Sequence, residues 1–366
     1  MAKAKKIIYR YRLFLWINQF FVFLLLLTYL APLVPPLLFW PLSIFGLAYP
    51  ILLLINVLFI VFWLLLVNKN LLYSVLAILI GWNTLASHFQ LNMSEITPAE
   101  QSFKIVSFNV KYLSNNNEKY ADINVRSSIL DYLKEQNAQF ICLQEFQTYP
   151  TKGVNTVKEF QDSLQMPYFA ETPYMFNSKF KFVGLMVTYS KYPIIKQEDF
   201  RYKEKSYALM SDIEYNSDTI RLFNIHLESN HFSGNEFEIF NSTETGLNEE
   251  TGNNVANLLG KLAVYSKTRN IQVNRINEMI KKSPYPVLVC GDFNDTPASY
   301  SYKKLAKNKK DSFIESGKGY GNTFNGKLPA MRIDYILSDT IFQIHQFEIG
   351  KVNLSDHFPI MSTISL

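Results

Sequence analysis

Acidic side chains are missing from the first quarter of the chain, because no Asp or Glu precedes Glu95. The basic residues of this stretch are Lys3, Lys5, Lys6, Arg10, Arg12 and Lys69. The rest of the chain therefore carries 30 of the 36 Lys and Arg residues and all 31 Asp and Glu residues, so the formal net charge of +5 arises in the N-terminal stretch. A body with balanced charge does not indicate the broad basic surface that is typical of nucleic-acid binding, although a local basic groove remains compatible with it.

Cysteine is scarce as well, and this absence excludes some classes of protein. Only Cys142 and Cys290 occur, each within an apolar run that is typical of a strand. A disulfide-stapled scaffold and a cysteine-rich zinc site are therefore excluded, and we expect two packed thiols. The 48% of hydrophobic residues excludes intrinsic disorder. We find no nucleophile elbow, P-loop or dinucleotide-binding fingerprint.

Charge of either sign is absent from residues 13–68, a run far longer than the roughly 20 apolar residues of a membrane-spanning helix. This run is too long for a cleaved signal peptide, and more apolar sequence follows it. Prolines interrupt it, and the resulting pattern predicts spans near residues 13–33, 45–67 and 71–89. The third segment is shorter and contains Ser74 and Asn83, so a reentrant or interfacial helix is the alternative.

The side of the membrane on which the body lies depends on the third segment. The basic cluster between Lys3 and Arg12 predicts a cytoplasmic N-terminus. Three spans would place the body outside the cytoplasm, whereas two spans would leave it inside. We favour three spans, with residues 1–94 as a membrane anchor, 95–102 as a linker and 103–366 as a folded extracytoplasmic domain.

The body alternates strand-like and helix-like periodicity, which predicts a layered α/β sandwich. The predicted strands are 103–109, 139–145, 183–189, 207–213, 219–227, 286–291, 332–337 and 358–365. The predicted helices are 123–137, 154–164 and 255–282. Residues 229–254 are rich in Asn, Ser, Thr, Gly and Glu, a composition typical of a long mobile loop.

Polar residues stand at the ends of these apolar strands. They are Asn109, Glu145, His226, Asp292, Asn294, Asp334, Asp356 and His357. Taken singly, each has an ordinary explanation as a turn former, a surface carboxylate or a satisfied core histidine. Together they can converge on one edge of a sandwich, where oxygen ligands for Mg²⁺ or Mn²⁺ would stand beside imidazoles that can contact a phosphate.

Six short segments in this order resemble the motifs of the endonuclease/exonuclease/phosphatase superfamily, of DNase I-like fold. They are SFNV at 107–110, LQE at 143–145, NIHL at 224–227, GDFN at 291–294, RIDY at 332–335 and SDH at 355–357. The resemblance covers residues 103–366. It implies a four-layered α/β sandwich, here preceded by an N-terminal helical transmembrane region, in a membrane-anchored bacterial protein of the inner membrane.

The resemblance also implies a metal site. Glu145 would be the principal ligand of Mg²⁺, with Mn²⁺ as the alternative ion, and Asn109 and Asp356 would assist it. Whether one ion or two bind is left open by the sequence, because Asp292 and Asn294 could hold a second.

The remaining residues receive catalytic roles from the same resemblance. Asp292 would orient or deprotonate the attacking water, and Asn294 would position that water or a phosphoryl oxygen. His357, oriented by Asp334, would stabilise charge in the transition state, and His226 would contact another phosphate oxygen. Such a set can promote in-line attack on a phosphate ester without a covalent intermediate.

The predicted function is therefore a membrane-anchored, divalent-metal-dependent phosphoesterase with nuclease or phosphatase activity. Its substrate could be nucleic acid, phospholipid or a small phosphate ester, and its other partner is the lipid bilayer; no protein partner is implied. A lipid-headgroup phosphodiesterase of the sphingomyelinase or phosphoinositide type is the alternative, and a non-catalytic membrane-bound interaction domain is a further one. The segments 184–193 and 323–326 and the residues Asn230 and His231 are secondary candidates, for structure or for substrate contact.

Overall fold

The computed structural model describes residues 2–92, 97, 100–114, 122–148, 155–172, 175–177, 182–230, 249–326 and 331–366. The chain forms two compact units. We call the first the helical unit, which comprises Met1–Ser87, Asn230–Asn270 and Thr296–Lys303. We call the second the sandwich unit, which comprises His88–Ser229, Ile271–Asp295 and Lys304–Leu366.

The N-terminal stretch folds into helices. These are α1 (Ala2–Thr28), α2 (Pro36–Phe39), α3 (Pro41–Leu65), α4 (Leu71–Ile80) and α5 (Trp82–Ala86). Among the described residues, Tyr11–Thr28 and Pro41–Leu65 are the two helical stretches long and apolar enough to cross a bilayer. The third predicted span is divided at Gly81 into α4 and α5, so its crossing of a membrane stays a prediction.

Buried polar side chains join α1, α3 and α4 inside the helical unit. Asn18 donates a hydrogen bond to Ser74 (2.7 Å), and Ser74 donates one to Asn56 (2.9 Å). The indole N–H of Trp63 donates to Asn18 at 3.0 Å. We call these four residues the bundle network. Since each polar group finds a partner on a neighbouring helix, the network fixes the packing of the short α4 against the two longer helices.

The sandwich unit contains most of the strands. The described strands are β1 (Phe89–Leu91), β2 (Phe103–Asn109), β3 (Phe140–Thr148), β4 (Tyr168–Glu171), β5 (Met175–Asn177), β6 (Phe182–Ser190), β7 (Ile194–Tyr202), β8 (Lys205–Tyr215), β9 (Asp218–His226), β10 (Val287–Asp292), β11 (Lys309–Asp311), β12 (Lys318–Tyr320), β13 (Asp334–Asp339), β14 (Gln343–Ile349) and β15 (Ile360–Ser365). The later helices are α6 (Ile123–Glu135), α7 (Thr156–Ser163), α8 (Glu249–Lys281), α9 (Tyr300–Leu305) and α10 (Ser312–Ser316).

Two large sheets account for most of these strands. The first sheet has the order β14-β15-β2-β3-β6-β4, with β5 paired to β6. The second has the order β11-β13-β10-β9-β8-β7, and β1 and β12 form a separate two-stranded ribbon. Only β2 with β3 and β9 with β10 are parallel among these described pairs. Both parallel pairs carry the polar strand ends, which is why they matter for the site.

The two sheets pack face to face over a core that strand alternation builds. In β2, Phe103 and Ile105 belong to the core between the sheets, whereas Val106 and Phe108 belong to a second core on the opposite face. This second core also contains apolar side chains of α6 and α7, such as Ile129. The first sheet is therefore buried on both faces.

The outer face of the second sheet is covered by the C-terminal part of α8. Arg275 lies over the ring of Phe200 on β7, 5.8 Å from its centre. The backbone N–H of Glu228, just after β9, donates to the side chain of Gln272 at 2.9 Å. The order helix, sheet, sheet, helix is the four-layered α/β sandwich that the sequence predicts, so the predicted fold class is confirmed.

Most predicted elements are present, and the differences have simple causes. All eight predicted strands occur, whereas the partly exposed edge strands β7 and β14 escaped prediction because edge strands bury too little apolar surface to alternate clearly. Helix α8 starts at Glu249, inside the predicted loop 229–254, and residues 231–248 of that loop lie outside the described residues. Cys142 and Cys290 are both buried free thiols, as expected.

Candidate active site

The strand topology brings the polar strand ends to one edge of the sandwich. In the parallel pair β2 and β3, Asn109 lies opposite Gln144, one residue before Glu145. In the parallel pair β9 and β10, Asp292 lies opposite His226. Because parallel strands end at the same side of a sheet, each pair delivers two polar residues to a common edge.

Two antiparallel strands complete this edge from the opposite direction. Strand β13 begins at Asp334, which lies opposite Asp292. Strand β15 begins at Ile360, opposite Ser107, so His357 lies just before it. We call the resulting group the strand-end cluster. Its members are Asn109, Glu145, His226, Asp292, Asn294, Asp334, Asp356 and His357, which are the predicted site residues.

Asn109 links the two sheets within this cluster. Its Nδ2 atom donates to Oδ2 of Asp292 at 3.0 Å and to Oε1 of Glu145 at 3.4 Å. The first sheet supplies Asn109 and Glu145, and the second supplies Asp292. The two carboxylates that the sequence assigns to metal binding and to water activation therefore share one amide.

Glu145 reaches this position through an unusual backbone. Its φ of 49° lies in the left-handed region, and the pairing of β3 with β6 shifts register between Leu143 and Phe146. Such a bulge turns a side chain out of the regular alternation, at a cost of about 1–3 kcal/mol for the strained residue. The strain therefore aims the carboxylate at the cluster.

His226 faces Glu145 from the other sheet, with Nε2 3.3 Å from Oε1 of Glu145. Burial disfavours the ionised carboxyl of Glu145, but the contact and charge of His226, followed by His357 and Asn109, outweigh it and lower the pKa to about 2. Burial also lowers the pKa of His226, but the contact with Glu145 and the charge of Asp292 raise it above its ordinary value. Glu145 is therefore held as an anion.

His357 forms a buried pair with Asp334. Its Nδ1 atom lies 3.0 Å from Oδ2 of Asp334, and its Nε2 atom lies 3.6 Å from Oδ2 of Asp292. Burial opposes the charged imidazolium, but the charges of Asp334 and Asp292 and the hydrogen bond to Asp334 raise the pKa of His357 to about 10. Such a pair fixes the ring and presents Nε2–H as a donor.

Asp292 occupies the middle of the cluster and is 1% exposed. Its Oδ1 atom accepts from the backbone N–H of Asn294 at 2.8 Å, and its Oδ2 atom accepts from Nδ2 of Asn294 at 3.1 Å. Burial and the charge of Asp334 raise the pKa of Asp292 to about 6, against the lowering charges of His357 and His226. A carboxyl of this kind is suited to accept a proton near neutral pH.

The strand before Asp292 depends on one glycine. Gly291 has a φ of +136°, and a Cβ atom there would lie 1.9 Å from the backbone oxygen of Ile225. Only glycine combines free access to this φ with the absence of a Cβ atom. Gly291 therefore lets β10 approach β9 closely at the point where Asp292 and His226 emerge.

Residues beside the predicted ones support the site. Gln144 donates to Asn224 at 2.8 Å and to Ser107 at 3.2 Å, which ties the two sheets together behind the cluster. These three residues stand within the recognised segments, but the sequence offered no reason to separate them from ordinary strand residues. Their burial, at 1% exposure or less, is visible only in the fold.

The secondary candidates have mostly structural partners. The hydroxyl of Thr323 accepts from the backbone N–H groups of Ile333 and Asp334, at 3.0 and 3.1 Å. The ring of Phe324 lies 5.2 Å from that of His357, edge to face. Segment 323–326 thus holds Asp334 and His357 in place. Asn230 accepts a hydrogen bond from Arg269 at 2.9 Å, and His231 lies outside the described residues.

The donor atoms of the cluster fit a hard divalent cation. Ligand atoms of Asp292, Asp334 and His357 lie within 4.8 Å of one another, and Glu145 adds a carboxylate. The amide nitrogen of Asn109 contacts Glu145 and Asp292, and its amide oxygen accepts from the N–H of Lys111. Carboxylate and amide oxygens are the ligands of Mg²⁺ and Mn²⁺. The buried carboxylates also repel one another, which a bound cation would relieve.

Comparisons with known proteins identify the family of the chain. A family model described as "Endonuclease/Exonuclease/phosphatase family" matches residues 106–357, and one described as a domain of unknown function (DUF8431) matches residues 11–88. A search of curated proteins finds no match.

Solved structures provide further likenesses. The chain resembles an endonuclease/exonuclease/phosphatase family protein from Leptotrichia buccalis (17% identity, 72% of this chain and 100% of that chain, TM-score 0.51). It also resembles such proteins from Bacteroides vulgatus (16%, 73% and 100%, TM-score 0.50) and Beutenbergia cavernae (14%, 73% and 72%, TM-score 0.52). At these identities the likeness concerns the fold.

Proposed function

The chain belongs to the endonuclease/exonuclease/phosphatase family, and we propose that it is a membrane-anchored phosphoesterase that hydrolyses a phosphodiester or phosphomonoester with the help of a divalent metal ion. The observation that carries this proposal is the environment of Asp292. This buried carboxylate accepts from Asn109 and Asn294 and lies 3.6 Å from Nε2 of His357. This part of the cluster thus brings together a carboxylate that can act as a base, two amides and an imidazole.

Each group has a part in water attack on a phosphate ester. Asp292 accepts the proton of the attacking water, and Asn294 orients that water or a phosphoryl oxygen. His357, fixed by Asp334, donates a hydrogen bond to the charge that develops on the phosphate, and His226 contacts another phosphate oxygen.

Glu145 and Asn109 would hold the metal ion, with Asp356 as the third residue that the sequence assigns to it. When bound, Mg²⁺ or Mn²⁺ would neutralise phosphate oxygens and the leaving oxygen. Glu145 is suited to this part because it is ionised and is aimed into the cluster by a strained backbone.

A non-catalytic interaction domain is the less favoured function. Buried charges and left-handed backbone at non-glycine residues both cost free energy, and a purely structural domain does not need them. Glu145 and Asn294 both have positive φ, at 49° and 51°, and both lie in the strand-end cluster. At Glu145 this strain aims a carboxylate into the cluster, which favours catalysis.

A lipid-headgroup phosphodiesterase is the alternative function that we favour next, and its substrate would be a phospholipid. Two helices of the described chain are long and apolar enough to enter a bilayer, and the residues after 94 carry nearly equal numbers of basic and acidic side chains. A substrate in the bilayer would reach a membrane-anchored enzyme without a broad basic surface. Nucleic acid and small phosphate esters are the other outcomes of the test.

The experiment uses the full-length chain, purified in detergent and supplied with Mg²⁺ or Mn²⁺. It is assayed against DNA, RNA, sphingomyelin vesicles, phosphatidylinositide vesicles and small phosphate esters. We expect metal-dependent hydrolysis of one class, lost in Glu145→Gln and His357→Ala. Equal hydrolysis by the wild type and both variants would contradict the proposal.

We further propose that residues 1–94 anchor the chain in a bacterial inner membrane, with the N-terminus in the cytoplasm and the residues from 103 onward outside it. The cluster between Lys3 and Arg12 supports this orientation. Protease added to intact spheroplasts should cleave the exposed body. A body that is fully protected until the spheroplasts are lysed would contradict the three-span topology.

A further inference from the structure

Lys111 brings a positive charge to the strand-end cluster. It follows β2, two residues after Asn109, and the proposed mechanism does not use it. Its Nζ atom lies 2.8 Å from Oδ2 of Asp356, and the two side chains are 29% and 21% exposed. An ion pair in this largely buried position is screened less by solvent than a surface pair.

The backbone around Lys111 is the most strained described segment near the site. Lys111, Tyr112 and Leu113 have φ values of 43°, 55° and 56°, and none of them is glycine. Left-handed backbone costs roughly 1–2 kcal/mol for each such residue. A run of three is therefore retained only where neighbouring structure holds it, and strain of this kind clusters at functional sites.

Local contacts hold this turn in place. The N–H of Lys111 donates to Oδ1 of Asn109 at 3.1 Å, and the hydroxyl of Ser114 donates to the carbonyl of Lys111 at 2.8 Å. The side chain of Leu113 is fully buried in the core beneath α6. The turn thus connects Lys111 directly to the amide that is expected to bind the metal ion.

Asp356 has a close contact at each carboxylate oxygen. Oδ2 faces Lys111, and Oδ1 lies 3.3 Å from the hydroxyl oxygen of Ser355. The single proton of that hydroxyl is donated to the backbone oxygen of Asn109, at the shorter distance of 2.8 Å. A divalent ion bound to Asp356 would lie close to the positive charge of Lys111, which opposes its binding.

We propose that Lys111 takes the place of a second metal ion: it neutralises Asp356, so that the active site binds one divalent ion, held by Glu145 and Asn109. Two-metal phosphoesterase sites place a second divalent ion about 3.5–4 Å from the first, with carboxylates to hold it. Of the carboxylates that could hold it here, Asp292 already accepts hydrogen bonds from Asn109 and Asn294, and Asp356 already has a fixed cation. The inference rests on the proposed function. It removes Asp356 from the metal ligands that the sequence predicts and keeps Glu145 and Asn109.

The test counts Mn²⁺ ions bound to the full-length protein by calorimetric titration in detergent. Ions bound elsewhere are subtracted with the double variant Glu145→Gln, Asp292→Asn. We expect one ion for each wild-type chain and one for Lys111→Arg, which keeps the charge. We expect two for Lys111→Asp, which replaces the cation by a carboxylate beside Asp356. Thermal unfolding of each variant checks that it is folded.

Two results would overturn the inference: two ions on each wild-type chain, or one ion on folded Lys111→Asp. The number of ions bound to the wild type can overturn the inference by itself. The test therefore still decides if a variant fails to fold. The number of bound ions can be measured without hydrolysis of a substrate. The count therefore tests the part of Lys111 separately from the proposed phosphoesterase activity. One ion with no hydrolysis of any substrate would reject the phosphoesterase, whereas hydrolysis with two ions would reject the part given to Lys111.

Discussion

The bundle network and the strand-end cluster both bury polar side chains, but they differ in charge. In the bundle network, Asn18, Ser74 and Trp63 are neutral, and they bond to one another or, through Asn56, to backbone carbonyls. The strand-end cluster instead combines buried carboxylates with imidazoles whose pKa values are raised. A closed neutral network stabilises helix packing, whereas an accumulation of buried charge indicates chemistry.

The backbone differs between these two regions in the same sense. The bundle network lies within the regular helices α1, α3 and α4. In the strand-end cluster, Glu145 and Asn294 have left-handed φ, and Gly291, which directly precedes Asp292, has a φ of +136°. Strained backbone thus coincides with the charged cluster. The comparison predicts that substitutions in the first region affect stability and that those in the second affect activity.

The largest effect is expected when Asp292→Asn or His357→Ala removes a group from the centre of the strand-end cluster. Loss of one transition-state group in such a site costs roughly 10²–10³ in rate, or about 3–4 kcal/mol. We expect kcat/KM to fall by this factor, measured on the substrate that the assays of the different phosphate esters identify. A change of less than fivefold in kcat/KM would remove these residues from the mechanism.

The second effect concerns the backbone that supports the cluster. In Gly291→Ala, the new Cβ would lie 1.9 Å from the backbone oxygen of Ile225. We expect the free energy of unfolding to fall by about 2–3 kcal/mol, because the strands must separate or the residue must adopt a strained φ. Chemical denaturation monitored by intrinsic fluorescence measures this loss. Wild-type stability would show that β9 and β10 do not need the close approach.

A smaller effect is expected in the bundle network. Asn18→Ala removes the acceptor of Trp63 and the donor to Ser74. Loss of such hydrogen bonds between apolar helices costs roughly 1–2 kcal/mol. Thermal unfolding in detergent should show a lower melting temperature, with kcat/KM per folded molecule unchanged. A selective loss of activity at unchanged stability would break the distinction between the two regions.

The smallest effect serves as the control for the first. Asp131→Asn makes the same chemical change as Asp292→Asn, but at an exposed carboxylate on α6 whose partner Lys134 is 3.6 Å away. Exposed ion pairs contribute little to stability. We expect melting temperature, metal binding and kcat/KM to match the wild type. If Asp131→Asn also lost activity, the effect of Asp292→Asn could not be assigned to its position in the cluster.

The sequence predicted much of the fold and the composition of the cluster. Alternation along strands and apolar spacing along helices are local properties, so the eight core strands and α6 were predictable. The strand-end cluster was predictable because polar residues such as Asp292 and Glu145 interrupt apolar runs, where burial needs a reason. The edge strands β7 and β14 were missed because their side chains alternate poorly between core and solvent.

Other features could not be obtained from local patterns. Nothing in the order of residues separates Lys111 from an ordinary surface lysine, because its partner Asp356 is 245 positions away in the chain. The segments Asn230–Asn270 and Thr296–Lys303 likewise belong to the helical unit, although they follow the apolar leader by well over a hundred residues. Both facts depend on long-range contacts.

The sequence by itself determined the residue types at the strand ends, the apolar length of α1 and α3 and the excess positive charge of the N-terminal stretch. These properties follow from composition and local spacing. Only the tertiary structure decided that Lys111 meets Asp356, that Glu145 adopts a left-handed φ and that α4 packs through Ser74. Such features arise when distant segments pack, because neighbouring elements then fix backbone angles and ion pairs that isolated segments would not adopt.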